Sequence, residues 1–269
     1  MSALRGRVAA LTGVAEARLE RLAGGDLSEV LLVRRSDGRV SVAKGGAAVG
    51  AEASMLRSLA AAGVPAPAVE AEHDGLLLLE FVPNDRVFTA RAWASLGEAL
   101  RLLHARREER YGWAADYRIG TVELHNGARE DWPSFWGEQR LASTAALLDR
   151  PWRERIDALI PRLPDLLPAH PPPAHLHGDL WSGNILMRDG ALAALIDPAC
   201  YHGDAEVDLA MLTLFDAPPP EFWDSYGALE PGWRERRALY QLFPALLHLR
   251  LFGAGYAAMV DRLLGAIGA

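Results

Sequence analysis

The most concentrated group of polar residues in the sequence is segment 177–184, which reads His-Gly-Asp-Leu-Trp-Ser-Gly-Asn. Asp179 is followed five residues later by Asn184, a spacing typical of phosphoryl-transfer catalytic loops. Such chemistry needs a carboxylate that orients an attacking hydroxyl and accepts its proton, and Asp179 is the candidate. Asn184 and Asp197 offer the hard oxygen ligands that Mg²⁺ prefers. Each residue alone is typical of a turn, but the three together predict a kinase site.

Lysine occurs once in the chain, at Lys44, among 28 basic residues. A compact ammonium is retained where the planar fork of arginine fits badly. Kinases place such an ammonium on the nucleotide phosphates and hold it with a helix carboxylate. Glu52 is the candidate partner, and the alternative is that Glu52 lies on a solvated helix face.

The remaining nucleotide contacts are predicted from two loops. Gly24, Gly25 and Ser28 lie in a glycine-rich segment, where backbone amides can approach a phosphate without interference from Cβ atoms. Glu80 and Val82 lie where the two halves of the chain join, and we expect adenine to contact the backbone there.

Aromatic and imidazole side chains flank the catalytic carboxylate. Trp181 lies between the predicted base and the predicted metal amide, so we expect it to face the site and stack on the acceptor. His177 is interpreted as structural, with its ring bonded to nearby backbone. His175 and His177 alternate as strand residues do, and no third ligand at zinc spacing accompanies them.

The first part of the chain favours a small antiparallel sheet. Loose alternation over residues 17–35 predicts two strands joined at the glycine pair, and the turn at 36–38 leads to a third strand that ends near Lys44. Helical spacing over 48–62 predicts one main helix. A further hairpin is predicted over 69–82.

Helical patterns dominate the second part, and a short hairpin interrupts them at 185–187 and 192–196. The hairpin should bring Asn184 and Asp197 together. We therefore predict an α+β, bilobal protein-kinase-like fold, with a small antiparallel sheet in the N-lobe and a larger, mostly helical C-lobe. The expected units are a nucleotide-binding lobe at 1–82, a hinge at 83–88 and a helical lobe with the catalytic loop at 89–269. The predicted helices of the second part span 89–107, 132–149, 152–167, 205–215 and 233 to the end of the chain.

Composition excludes several classes of partner. The net charge of −7 and the pI near 5.6 argue against binding to a nucleic acid backbone. No apolar run approaches the ~18 residues of a membrane span, and no secretory signal is recognisable. One cysteine, Cys200, cannot form an internal disulfide, which fits a reducing compartment, and we expect a cytoplasmic protein. A monomer or weak homodimer is expected.

The connection after the metal carboxylate is short. Only about seven residues separate Asp197 from the helix predicted to start near Ala205. This is too short for the activation loop and peptide platform of a protein kinase. A small acceptor is therefore predicted.

Several strings make the chain resemble the fructosamine (ketoamine) kinases, relatives of the aminoglycoside and choline kinases. The resemblance spans almost the whole chain and implies ATP- and Mg²⁺-dependent phosphorylation of a sugar hydroxyl of a ketoamine. It also implies a deglycation repair role, with a small-molecule ketoamine or a glycated protein as substrate. The strings are His177 to Asn184 with Trp181, Asp197-Pro198-Ala199, Tyr201-His202-Gly203 leading to Glu206 and Asp208 to Met211, Trp132 with Phe135, Arg140 and Leu141, and Leu239 to Leu242 through His248 to Gly253.

The sequence departs from that family pattern in two places. Glu123 and Leu124 stand where a Pro-Gln pair is usual, although the later Asn126 is present. The redox-active cysteine that some members carry in the glycine-rich loop is replaced by Asp26 and Leu27, so a thiol switch cannot operate there.

Two alternative functions stay open at this point. One is phosphorylation of an aminoglycoside or another small alcohol, against which Trp181 argues. The other is a non-catalytic, pseudokinase-like nucleotide-binding module. Its signature would be the loss of Lys44, Asp179, Asn184 or Asp197, and all four are present.

Overall fold

A five-stranded antiparallel sheet forms the first part of the molecule. Its strands are β1 Glu20–Arg21, β2 Val30–Arg34, β3 Val40–Gly45, β4 Val69–His73 and β5 Leu76–Glu80, and they lie in the order β1-β2-β3-β5-β4. The computed structural model of the chain describes residues 3–22 and 29–269. β3 is hydrogen-bonded on both sides, and Lys44 lies opposite Val30 on one neighbour and Leu77 on the other. The backbone that carries Lys44 is therefore fixed from both edges.

Two helices cover the opposite faces of this sheet. Side chains alternate along β5, so Leu76 and Leu78 pack with helix α1 (Ala3–Thr12), whereas Leu77 and Leu79 pack with helix α2 (Val49–Ala61). This burial fixes the orientation of α2, the helix that carries Glu52. The predicted third strand, main helix and hairpin are all confirmed.

The N-terminal segment differs from the sequence prediction. Helix α1 was not predicted, because only Leu4 and Val8 of its ten residues are buried and its apolar pattern is weak. The first of the two strands predicted over 17–35 starts later than the alternation indicates, since a 3₁₀ turn at Glu16–Arg18 precedes β1, which has two residues. The turn predicted at the glycine pair lies outside the described residues.

The second part of the molecule is mostly helical, with three short strand pairs. The predicted α+β bilobal kinase-like fold is confirmed, while the boundaries of lobes and hinge at 82–89 stay a prediction. Sequence patterns missed the helix at Pro220–Tyr226, the hairpin at 117–124 and the pairing of Ala174–Leu176 with Tyr201–Gly203. The last predicted helix is broken at Gly253, where φ is +85°. The helices are α3 Ala90–His104, α4 Trp132–Phe135, α5 Ser143–Ala145 (joined to α4 by a π-helix at Trp136–Ala142), α6 Arg150–Leu159, α7 Leu163–Leu166, α8 Glu206–Phe215, α9 Pro220–Tyr226, α10 Trp233–Phe252 and α11 Ala257–Ile267. The strand pairs are β6 Tyr117–Ile119 with β7 Val122–Leu124, β8 Ala174–Leu176 with β11 Tyr201–Gly203, and β9 Ile185–Arg188 with β10 Ala191–Leu195.

The segment that joins the two parts is tied to the β9–β10 hairpin through Asp85. The Asp85 amide donates to the carbonyl of Met187 at 2.9 Å, and its Oδ2 accepts from the Asp189 amide at 3.0 Å. Hydrogen bonds from the amides of Val87 and Asp189 hold the pKa of Asp85 below its usual value. The connection is thus anchored beside the hairpin that leads to Asp197.

Helix α10 is the longest helix among the described residues, but neither it nor any other helix described has the length and apolar character needed to cross a membrane.

Candidate active site

The candidate catalytic loop, residues 177–184, is held by Asp208, a fully buried residue of α8. Its carboxylate accepts hydrogen bonds from the amides of His177 and Gly178, at 2.7 and 2.8 Å, and bonds to His104 Nε2 at 3.1 Å. Burial would raise the pKa of Asp208, but the His104 bond and the loop amides outweigh it and lower the pKa. Asp208 was one of the residues that carry the family resemblance but had no predicted role, although a carboxylate between apolar neighbours in a helix is a signal that could have identified one.

Gly178 lets the loop pass directly beside the turn that follows Asp197. Its φ is +82°, and a Cβ at this position would overlap the carbonyl oxygen of Ala199. Both the backbone conformation and the lack of space therefore require glycine.

Asp179 and Asn184 lie in direct contact, as the loop spacing predicts. Asn184 Nδ2 donates to the carbonyl oxygen of Asp179 at 2.8 Å and to its Oδ2 at 2.9 Å. Burial, reinforced by the charges of Asp197 and Asp208 and opposed by the Asn184 hydrogen bond, raises the pKa of Asp179 to about 7. A carboxyl group with a pKa near neutrality is well matched to accept a proton during turnover.

The His177 ring is structural, which confirms its interpretation. Its Nε2 donates to the carbonyl of Ile196 at 3.1 Å, and its Nδ1 accepts from the Asp179 amide at 3.3 Å. Burial lowers the pKa of His177, so the ring is neutral and both nitrogens serve the backbone. The ring links the start of the catalytic loop to the residue before Asp197.

Asp197 occupies a left-handed turn, with φ at +53°. The Ile196 amide donates to the Asn184 carbonyl at 3.0 Å, and the Ala199 amide donates to the His177 carbonyl at 2.9 Å. The β9–β10 hairpin therefore brings Asn184 and Asp197 together, as predicted. Positive φ in a residue other than glycine is uncommon and is concentrated at functional sites.

Lys44 joins the sheet to this turn. Its Nζ lies 2.6 Å from Glu52 Oε1 and forms a second ion pair with Asp197 Oδ1. Burial opposes the charge of Lys44, yet the carboxylates of Asp197 and Glu52 outweigh it and raise the Lys44 pKa. The predicted pair with Glu52 is present, and the alternative of a solvated Glu52 is wrong, since its side chain is 19% exposed.

The oxygens of Asn184 and Asp197 fit a hard divalent cation. Asn184 uses its Nδ2 for hydrogen bonds, and its Oδ1 accepts none from any described residue. The Asp197 side chain is 40% exposed and so accessible to an ion. Carboxylate and amide oxygens are the ligands that Mg²⁺ prefers over nitrogen or sulfur.

Of the two residues predicted to contact adenine, Glu80 uses its side chain within the sheet, whereas Val82 has a backbone amide that donates to no described residue. Glu80 Oε2 accepts from the Ala68 amide at 3.2 Å, so this carboxylate holds the end of the sheet. No described residue accepts a hydrogen bond from the Val82 amide, whereas the Val82 carbonyl accepts from Asn84 at 3.1 Å. Gly24, Gly25 and Ser28 lie outside the described residues.

Trp181 begins a row of rings that we call the aromatic wall: Trp181, Phe215, His248, Phe252 and Tyr256. Trp181 is 37% exposed, and its ring centroid lies 6.1 Å from that of Phe215, which lies 5.0 Å from that of His248. The His248 centroid is 5.4 Å from that of Phe252 and 5.0 Å from that of Tyr256. Apart from Trp181, these residues had no predicted role.

The family assignment rests on a match along nearly the whole chain. The family model described as fructosamine kinase matches residues 8–268. The chain belongs to the fructosamine kinase family. It is therefore a phosphotransferase with an alcohol group as acceptor, and the interpretation as a non-catalytic nucleotide-binding module is wrong.

Individual fructosamine kinase relatives are similar over comparable lengths. A protein named probable ketoamine kinase from Thermus thermophilus is 38% identical over 256 residues, covering 91% of this chain and 92% of that protein. One of the same name from Vibrio parahaemolyticus is 32% identical over 268 residues, covering 92% and 91%. The crystal structure of a candidate fructosamine-3-kinase from Thermobifida fusca superposes with a TM-score of 0.86 at 32% identity, covering 98% of each chain.

More distant solved structures share the fold alone. An aminoglycoside phosphotransferase in complex with ADP and hygromycin B superposes with a TM-score of 0.68 at 16% identity, covering 99% of this chain and 97% of that one.

The departure of this fructosamine kinase from the usual Pro-Gln pair lies in the β6–β7 hairpin. Leu124 is buried in the main core, while Glu123 is exposed. Asn126 is also buried, where its Oδ1 accepts from Arg140 at 2.9 Å. In this chain the residues at these positions serve packing and the attachment of the hairpin.

Gly183 controls the position of Trp181, which gives a first prediction. A Cβ at Gly183 would overlap the Trp181 ring, so Gly183→Ala should displace the ring from the loop. If the ring binds acceptor, KM for acceptor should rise about three- to tenfold while KM for ATP stays unchanged. Steady-state kinetics with each substrate varied would measure this.

Gly265→Ala is the matched control for Gly183→Ala, because a Cβ at Gly265 meets no atom within 4 Å. It should leave both KM values at the wild-type level. An unchanged acceptor KM in Gly183→Ala, with the ring shown to be displaced, would remove Trp181 from the acceptor site.

Proposed function

We propose that this fructosamine kinase transfers the γ-phosphate of ATP to a sugar hydroxyl of a ketoamine. A small glycated amine or a glycated protein would serve as acceptor, and removal of the sugar adduct would be the biological outcome. The observation that carries the proposal is the convergence of Lys44, Asp179, Asn184 and Asp197 beside an exposed tryptophan. Membership in the family supports the acceptor class.

Nucleotide binding is assigned to the sheet and the connection between the two parts. Lys44 would contact the phosphates, because its ammonium is buried, charged and held by Glu52. The Val82 amide, which donates to none of the residues in 3–22 and 29–269, suits the edge of adenine. Gly24, Gly25 and Ser28 are proposed as backbone contacts to phosphate on their sequence alone.

Asp179 would receive the acceptor hydroxyl. Its Oδ2 is oriented by Asn184, and the carbonyl next to it is held by the same amide group. The hydroxyl proton would pass to the Asp179 carboxylate as the hydroxyl oxygen attacks the γ-phosphorus of ATP and the bond from that phosphorus to ADP breaks, so no free alkoxide has to form. The His177 ring and Asp208 fix the loop and so limit the movement of Asp179.

Asn184 Oδ1 and the Asp197 carboxylate would hold Mg²⁺. When bound, the ion would supply positive charge against the phosphates. We expect turnover to fall to background in excess EDTA and to return on addition of Mg²⁺ or Mn²⁺. Full turnover in excess EDTA, measured as ADP release, would contradict the metal assignment.

A panel of acceptors tests the function itself. ADP release would be measured with fructosamine, ribulosamine and erythrulosamine derivatives and with aminoglycosides, each against a no-acceptor control. The proposal expects ADP release above background with at least one ketoamine and none with the aminoglycosides. Stimulation by aminoglycosides alone would replace the proposed acceptor class with the alternative one.

A further inference from the structure

Asp216 places a carboxylate against the catalytic loop from the end of α8. Its Oδ2 accepts a hydrogen bond from the Ser182 amide at 2.8 Å, and its own amide donates to the Leu212 carbonyl at 3.0 Å, which closes the helix. Ser182 directly follows Trp181 and lies three residues after Asp179. The carboxylate is therefore held at the edge of the proposed site.

The charge of Asp216 is not compensated within the described chain. No arginine, lysine or histidine among the described residues forms an ion pair with it, and the single hydrogen bond to its side chain goes to Oδ2. Asp216 is half-buried, so part of its hydration is lost. A partly desolvated carboxylate with one unused oxygen is suited to a cationic ligand.

The aromatic wall gives the surroundings of the Asp216 carboxylate a further preference for cations. Phe215, the residue before Asp216, contacts both Trp181 and His248. His248 Nδ1 donates to the Pro244 carbonyl at 2.7 Å, and burial lowers the His248 pKa, so the ring is neutral and does not repel a cation. Indole and phenyl faces attract ammonium groups, and the carboxylate adds a full negative charge.

We propose that Asp216 determines specificity by binding the protonated amine of the acceptor. This inference rests on the proposed function, because a ketoamine carries a basic amine a few bonds from its sugar hydroxyls. Asp216 bonds to Ser182, which lies three residues and so at most about 11 Å of chain from Asp179, and the two carboxylates therefore lie at the same loop. Asp179 then selects the hydroxyl, and Asp216 selects for a charged amine.

A purely structural role for Asp216 makes a different prediction. If Asp216 only anchors the Ser182 amide, its charge is unimportant and any carbonyl oxygen at that position would serve. Asp216→Asn keeps an oxygen for the Ser182 amide and removes the charge, so it separates recognition from anchoring. Asp216→Ala removes both.

The experiment compares two acceptors that share one sugar. The first carries a protonated secondary amine at the sugar carbon, and the second carries an uncharged ether oxygen in its place. Both are measured as substrates or, where turnover is slow, as competitive inhibitors. Asp216→Asn should weaken the amine about tenfold, change the ether analogue less than twofold, and leave KM for ATP and Tm unchanged.

Asp224→Asn is the control, since Asp224 is an exposed carboxylate on α9 and lies outside the proposed site. It should leave both acceptors unaffected. Equal weakening of amine and ether in Asp216→Asn, or no change in either, would overturn the inference while the wild-type enzyme still phosphorylates ketoamines. A wild-type enzyme that phosphorylates no ketoamine would instead overturn the proposed function.

Discussion

Replacing Asp179 with asparagine is expected to lower kcat by about 10²-fold or more. The variant keeps the size of the side chain and a hydrogen-bonding oxygen, but it cannot accept the proton of the acceptor hydroxyl. KM for ATP should change little, because the proposed nucleotide and metal contacts come from Lys44, Asn184 and Asp197. Initial rates with ketoamine and ATP varied separately would measure both effects.

The pH dependence of Asp179 provides a second measurement on the same variant. Burial raises the pKa of Asp179 to about 7, and the base must be deprotonated to act. In the wild-type enzyme, kcat/KM for ATP, which reports ionisations of the free enzyme, should therefore fall as the pH falls below about 7. The residual activity of Asp179→Asn should lack this dependence.

Stability separates a catalytic loss from a folding defect in Asp179→Asn. The folded pKa of Asp179 lies above the usual value of 3.8, so folding takes up a proton between these values and stability falls as pH rises through them. Asparagine does not ionise, so it causes no such loss of stability as the pH rises. We expect Asp179→Asn to match or exceed the wild-type Tm at pH 8, with a smaller difference at pH 5. Near-normal kcat in this variant would remove the catalytic assignment.

The candidate catalytic group could be predicted from sequence because its members are close together in the chain. Asp179 and Asn184 share one loop, and a single hairpin returns the chain to Asp197. Local turn chemistry and strand pairing thus specify most of the geometry. Lys44 was found by its uniqueness in composition, although its contact with Asp197 spans 153 residues.

The residues around the candidate catalytic group, such as Asp208 and the aromatic wall, could not be predicted in the same way. Asp208 contacts the loop only because α8 packs beneath it, and no local pattern states which backbone amides a buried carboxylate will meet. The aromatic wall joins Trp181, Phe215 and His248 from three separate elements, so its existence depends on how the helices pack. Helix α1 was missed for a local reason. Only two of its residues are buried, so the helical spacing of apolar residues is too weak to recognise in the sequence.

Lys44→Arg is expected to lower kcat/KM for ATP by at least about tenfold, even though it keeps the positive charge. The Lys44 ammonium lies between Glu52 and Asp197 and is only 9% exposed, so it has contacts on two sides and little free space. A guanidinium is larger and planar, and it cannot place one compact charge at the same point. Displacing the positive charge at position 44 should move Asp197 as well as the phosphates. Because Asp197 is a proposed Mg²⁺ ligand, the Mg²⁺ concentration needed for half-maximal rate should also rise.

The control for Lys44→Arg exchanges the same two residue types at the surface. Arg150 forms an ion pair with Glu154 one turn along α6, and the Arg150 side chain is 78% exposed. Arg150→Lys should therefore leave kcat, KM for ATP and the Mg²⁺ dependence at wild-type values, since exposed pairs contribute little. If Lys44→Arg also shows wild-type kcat and KM for ATP, the ammonium is not a phosphate contact, and its ion pairs with Glu52 and Asp197 serve only to join α2 to the catalytic turn.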